Sequence, residues 1–267
     1  MSQKSLVIVS SDRLYTGAVA LRQAAENYGL NARIAVINED DIVGLVNASD
    51  YAMFRIKPGT YDFYTSIQAD IDARYAEKFR GFLAAFDKLQ TFEILQKNNI
   101  PTPQSYYISR DDTIRSFPAV IKVLHGNQGN GVALLKSLAD FDTFMMEYNE
   151  DSYLVQEFIE QATGHDKRLL VAGGKLIGAM ERRATKDDFR ANLHQGGRAE
   201  KYAPSEQEID LAIRTVKAFD LDLAGVDIVD SDHGPLVLEV NASPGLAIGE
   251  VIGVDVAKEI IEELFHD

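Results

Sequence analysis

The stretch "LVLEVNASPG", residues 236–245, runs from an apolar strand into a Ser243-Pro244-Gly245 turn. Strand side chains alternate faces, so Glu239 and Asn241 share one face while Leu238 and Val240 share the other. Upstream, "LAGVDIVDSDHG" (223–234) supplies a partner strand and a polar turn, and the two strands read as a hairpin. Placing Val226 and Ile228 in the core with Leu236, Leu238 and Val240 fixes the register, and the same parity sets Asp227 beside Glu239 and Asn241. Three oxygen donors then converge on one outward-facing patch. Hard divalent cations take such ligands, and Mg²⁺ uses one or two carboxylates plus phosphate oxygens. A solvated polar face on an antiparallel hairpin explains the same pattern, and this stretch alone does not separate the two.

Composition narrows the function classes. The 267 residues contain no cysteine, which excludes disulfides, thiolate metal sites and a cysteine nucleophile, and fits a cytoplasmic location. A net charge of −14 disfavours bulk nucleic-acid binding, so a polyanionic ligand would need a local cluster of Lys and Arg. No apolar run reaches the roughly 18–20 residues of a membrane span, and the N-terminal apolar run is too short for a signal peptide.

Working outward, "SLVIVSS" (5–11), a helical stripe over 18–29 capped by Gly29, "ARIAVI" (32–37) and "DYAMFRI" (50–56) predict a small parallel α/β unit. It lacks a glycine fingerprint after the first strand, which disfavours a dinucleotide site there. Residues 72–100 read as helix, broken near Asp87, and "PTP" (101–103) ends it. "FPAVIKVLHGNQGNGVALLKS" (117–137) predicts strand, glycine loop, strand, with Lys122 at the end of the first strand and Gly126, Gly129 and Gly131 in the loop. This is neither a P-loop nor a Rossmann turn. Glycine lets backbone N–H groups approach phosphate, but a plain flexible hairpin explains the loop equally. "HDKRLLVAGGKLIGAMERRA" (165–184) is a hairpin carrying Asp166 and Arg168 on one arm and Arg182 and Arg183 on the other. By themselves, Asp166 and Arg168 read as a surface pair of little energetic worth. A capping box at Ser205–Glu208 opens a helix over 205–220. The five histidines lack paired ligand spacing, so zinc is disfavoured.

In order, Lys88, "VIK" with its glycine hairpin, "VQEF", "DKR", "MERR", "FRANLHQGG", "AGVDI" and "LEVNASPG" resemble the ATP-grasp ligases, specifically the RimK-like branch. The resemblance spans roughly residues 85–265, with a weaker likeness at 54–64. It implies an α/β (α+β) ATP-grasp fold behind a small Rossmann-like N-terminal domain. The expected division is 1–87, 88–155 (a lid) and 156–267 (the metal-bearing part). The implied reaction is ATP-dependent activation of a carboxylate as an acyl phosphate, then coupling to an amine, with glutamate or a related amino acid preferred. The implied acceptors are a peptide, a protein C-terminus or a small acid. The branch implies neither a nucleic-acid nor a membrane partner, and homo-oligomers are common in it.

Residue by residue, the resemblance implies that Lys88 and Lys122 contact ATP phosphates and that the 126–131 loop, with Gly126, Gly129 and Gly131, closes over them. Glu157 and Phe158 would hold adenine through the backbone, and Asp166 would help fix the ribose. Arg182 would neutralise the transferred phosphoryl group, with Arg190, Ala191 and Asn192 lining the site. Asp227, Glu239 and Asn241 would hold two Mg²⁺ ions, with Mn²⁺ as a substitute. On the outward-facing reading, Asp227→Asn and Glu239→Gln leave the fold intact. The alternatives are a carboxylate–thiol ligase or kinase on the same site, and a nucleotide-binding regulatory protein without turnover.

Overall fold

A computed structural model describes residues 3–55, 60–126, 130–184 and 197–266. The N-terminal part contains β1 (Ser5–Ser10), α1 (Thr16–Tyr28), β2 (Asn31–Val36), α2 (Ile42–Ala48), β3 (Tyr51–Arg55) and α3 (Tyr61–Ile67). Its sheet is parallel, in the order β2-β1-β3, as expected of near-continuous apolar strands joined by helices. Gly29 closes α1 in the left-handed conformation, at φ 100°. The helical stretch that follows breaks into α4 (Ala73–Ala84) and α5 (Lys88–Lys97). Asp87 causes the break: its side chain caps α5 by accepting from the N–H groups of Leu89 and Gln90.

A second sheet comprises β4 (Ser105–Ser109), β5 (Ala119–Val123) and β6 (Val132–Leu135), with helix α6 (Leu138–Glu147) and β7 (Ser152–Glu157). Its order is β4-β7-β5-β6, all antiparallel, with its own core around Ile121, Leu135, Phe144 and Tyr153. β7 runs through the expected division at 155/156 and belongs whole to this sheet. Helix α5 packs instead with the third sheet, since Leu95 joins a core with Val216, Val226 and Val237.

The third sheet contains β8 (His165–Ala172), β9 (Lys175–Arg183), β10 (Arg198–Lys201), β11 (Leu223–Ser231) and β12 (Gly234–Asn241), in the order β10-β9-β8-β11-β12. Helix α7 (Glu206–Ala218), opened by the Ser205–Glu208 capping box, covers one face. Helices α8 (Ile248–Ile252) and α9 (Val256–Phe265) lie between this sheet and the N-terminal one, in a core shared with Leu6, Ile8 and Leu21. No helix among the described residues is long and apolar enough to cross a membrane.

The β11–β12 hairpin departs from simple alternation. Asp227 lies opposite Glu239, but Ile228 lies opposite Val237, so the register shifts by one residue and Leu238 is the extra one. Val237 and Val240 therefore join Val226 and Ile228 in the core, and Leu236 and Leu238 are only half-buried. The expected packing of Leu236 and Leu238 is corrected by this bulge. Because it sits on the turn side of Asp227, the pairing of the two acids survives.

Candidate active site

β8, β9 and β11 present Asp166, Arg168, Arg182 and Asp227 on one face, and register alone brings them together. Asp166 stands opposite Arg182, and Arg168 opposite Asp227. Directly opposed charges across a ladder are in contact. Arg182 donates from Nε to Asp166 Oδ1 at 2.6 Å and from Nη2 to Asp166 Oδ2 and Asp227 Oδ2, each at 2.7 Å. Arg168 makes a two-point contact with Asp227 at 2.6 and 2.7 Å. Asp166 and Arg168 are thus not a pair. Each has its own partner, and Arg182 links the two acids.

The outward-facing placement of Asp227 is also corrected, because its side chain is only 6% exposed and that of Arg182 only 4%. Burial disfavours the Asp227 anion, but Arg168 and Arg182 outweigh it and hold its pKa at about 2. Burial pushes the Asp166 carboxyl up, with Arg182 opposing. The Arg182 guanidinium resists burial through its two carboxylates, which push it up.

Glu239 is exposed and opposite Asp227. Asn241 lies opposite Gly225, and its Oδ1 accepts the Ser243 N–H at 3.0 Å. Among the described residues no cluster of three or more His, Asp or Glu forms a metal site by itself. Two carboxylates and an amide remain. Each can offer a lone pair beyond its present bonds, since a carboxylate oxygen accepts about two and an amide oxygen two. This hard-oxygen set fits Mg²⁺ that takes its remaining ligands from phosphate and water.

Two lysines face the same region. Lys88, the first residue of α5, donates to the Gly126 carbonyl at 2.7 Å. Lys122, on β5, donates to Gln156 Oε1 at 2.7 Å, and Gln156 donates in turn to Ser105 Oγ at 3.1 Å. Burial lowers both ammonium groups, and the charge of Glu239 opposes it in both. For Lys122 the result, with Lys88 adding repulsion, is a pKa of about 8. The two described ends of the glycine loop are built tightly. A Cβ on Gly126 would stand 2.5 Å from the Asn130 carbonyl oxygen, and Gly131 adopts φ 67° against Val123. Both glycines are therefore demanded by the hairpin itself.

Glu157 sits at the end of β7, where its N–H already donates to the Gln104 carbonyl at 2.8 Å. Phe158 follows just beyond the strand. Gly129, Arg190, Ala191 and Asn192 lie outside the described residues. Sequence reasoning missed three supporting groups. Arg168 was legible from parity, because it shares a face with Asp166 two residues away. Gln156 and the Asp87–His125 contact, at 3.1 Å, carry no sequence signal, because their partners lie 34 and 38 residues away.

Solved structures of ATP-grasp proteins carry the same fold. A RimK domain ATP-grasp protein from Sphaerobacter thermophilus superposes with a TM-score of 0.71 at 21% identity, covering 98% of this chain and 99% of that one. D-alanine–D-alanine ligase from Bacillus anthracis superposes at 0.68 and 15% identity, covering 99% and 97%. The chain belongs to the RimK-like ATP-grasp family, whose domain model matches residues 85–264. A probable alpha-L-glutamate ligase of Trichodesmium erythraeum is 42% identical over 188 residues, 67% of this chain and 63% of that protein. One from Haemophilus influenzae is 41% identical over 192 residues, 68% and 64%. The match therefore spans a little under two thirds of these relatives' length.

Proposed function

We propose that this protein is an ATP- and Mg²⁺-dependent carboxylate–amine ligase that transfers phosphate to a carboxylate and couples the acyl phosphate to an amino acid, glutamate first among them. The observation that carries this reading is the buried Asp166–Arg182–Asp227–Arg168 network with Glu239 opposite Asp227, within electrostatic reach of Lys88 and Lys122. The names of the relatives support glutamate as the amine.

In this reading Lys122 and Lys88 bind nucleotide phosphates, and the Gly126 end of the glycine loop, tethered by Lys88, covers them. Glu239, Asp227 and Asn241 would hold Mg²⁺, which would supply neutralisation of charge on the nucleotide phosphates. Arg168 and Arg182 hold the Asp227 carboxylate ionised and oriented. The carboxylate oxygen of the acid attacks the γ-phosphorus and ADP leaves. The amine nitrogen then attacks the acyl carbon, phosphate leaves, and the amine proton passes to solvent or to phosphate. Such phosphoryl transfer needs positioning and charge more than covalent help from the protein. Exclusion of water protects the mixed anhydride.

With ATP, Mg²⁺, a carboxylate substrate and hydroxylamine, the protein should yield a hydroxamate with ADP and phosphate. Release of AMP and pyrophosphate would instead mean adenylate chemistry, and a phosphorylated hydroxyl product a kinase.

Lys122→Met is expected to weaken ATP binding by roughly 10- to 100-fold, the loss of a charge-assisted hydrogen bond. Its pKa of about 8 adds a pH signature. Phosphate beside Lys122 raises that pKa, so nucleotide binding should take up a proton near pH 8.5 and none near pH 6.5, where the lysine is already charged. Calorimetry in buffers of different ionisation enthalpy measures this uptake. Unchanged uptake in Lys122→Met would refute the assignment.

A further inference from the structure

Arg55 ends β3 and is 0% exposed. Its Nη2 donates to the Pro244 carbonyl at 2.6 Å, yet Nε and Nη1 have no hydrogen-bond partner among the described residues. No described carboxylate forms an ion pair with it. A buried cation in that state is costly, and natural proteins rarely keep one without a use. Burial pushes the guanidinium down from its ordinary value, and Tyr15, whose ring lies 5.9 Å away, opposes it through its charge and a side-chain hydrogen bond.

The other buried side-chain atoms left without partners among the described residues are Ser11 Oγ and the Tyr64 hydroxyl. Ser10 pairs with Arg55 across the parallel β1–β3 ladder, so Arg55 sits at the carboxyl ends of both strands, and Ser11, one residue further along, turns to the opposite face. The charge of Arg55 also acts on the Tyr64 hydroxyl. Open parallel sheets bind ligands in the crevice at those strand ends. The first turn of α1 points there as well, since a Cβ on Gly17 would stand 3.4 Å from Arg55 Nη2, and no side chain caps that helix. Helix N-termini favour anions.

Arg55 adjoins the candidate active site. Pro244 follows Asn241 by three residues, and a Cβ on Gly225 would stand 3.3 Å from Pro244 and 3.5 Å from Arg168. Gly245 has open space where a Cβ would stand. An anion on Arg55 would thus lie just across Pro244 from the Arg168–Asp227 pair. The nucleotide phosphates have their own lysines, and a buried guanidinium with unpartnered N–H groups offers charge-assisted donors to a carboxylate.

We propose that Arg55 forms a carboxylate-binding subsite that holds a substrate of this ligase against the N-terminal sheet. The inference rests on the ligase reading for the word substrate, and on the unpartnered arginine for the subsite. The carboxylate belongs either to the acid that is phosphorylated or to the incoming amino acid.

The test uses the full chain with Mg–ADP and two probes, L-glutamate and N-acetyl-L-glutamate, which has no free amine. Wild-type protein should bind at least one of them. Arg55→Met should weaken that binding about 100-fold, as expected for loss of a charge-assisted pair, with Arg55→Lys weakened less. Loss confined to L-glutamate assigns the subsite to the amine substrate; loss of the acetylated probe assigns it to the acid. Affinity for Mg–ADP should not change, and Arg55→Met should melt no lower than wild type, because a buried unpaired charge has gone. No binding of either probe to wild type, wild-type binding in Arg55→Met, or a fall in Mg–ADP affinity in folded Arg55→Lys would each overturn the subsite. Arg55-dependent binding without ADP release for any amine would sink the ligase reading and leave the subsite standing.

Discussion

Glu239→Gln is expected to lower Mg²⁺-dependent turnover by about 100-fold or more while leaving the melting temperature within a few degrees of wild type. The side chain is exposed and no hydrogen bond or ion pair holds its carboxylate among the described residues. The amide keeps its size and removes its charge. Little folding energy therefore depends on it, and surface changes away from such features usually fall within about 0.5 kcal/mol. Its charge also supports the protonated forms of Lys88 and Lys122. Without it both lysines should deprotonate at lower pH, and the window of proton uptake on nucleotide binding should move down from pH about 8. Steady-state ADP release, thermal melting and calorimetry together check this. Near-wild-type turnover in a folded variant would remove Glu239 from the metal site.

Arg182→Ala is expected to do the opposite to stability. It leaves Asp166 without its guanidinium partner and removes one of two from Asp227, and both carboxylates are buried. Breaking a buried ion pair from one side costs about 3–5 kcal/mol, which in a chain of this size lowers the melting temperature by roughly 10 °C. Asp227→Asn should destabilise by a similar order, because Arg168 and Arg182 would both lose a charged partner. The outward-facing placement from which Asp227→Asn is expected to spare the fold is the part that the burial of Asp227 corrects. If Arg182→Ala melts like wild type and loses only catalytic rate, then Arg182 acts on the phosphoryl group and not on Asp227.

Much of this was legible in one dimension. Apolar runs and alternation identify β1, β2, β5, β8, β9, β11 and β12, since burial of one face or both is written directly into residue order. The break between α4 and α5 could be read because Asp87 is a local cap, and Gly29 and the Ser205–Glu208 box mark helix ends by equally local hydrogen bonds. The shared face of Asp227 and Glu239 follows from a period of two and survives the bulge beyond it. Other features depend on contacts that residue order does not encode. One extra residue, Leu238, exchanges Val237 for Leu236 and Leu238 in the core, and alternation has no means of announcing it. Sheet order decides that Arg168 meets Asp227 and that Arg182 spans two acids, so a face that reads as solvated becomes a buried charge network. The isolation of Arg55 likewise exists only in three dimensions. A lone arginine at a strand end is unremarked in sequence, and only the folded chain withholds both water and a carboxylate from it.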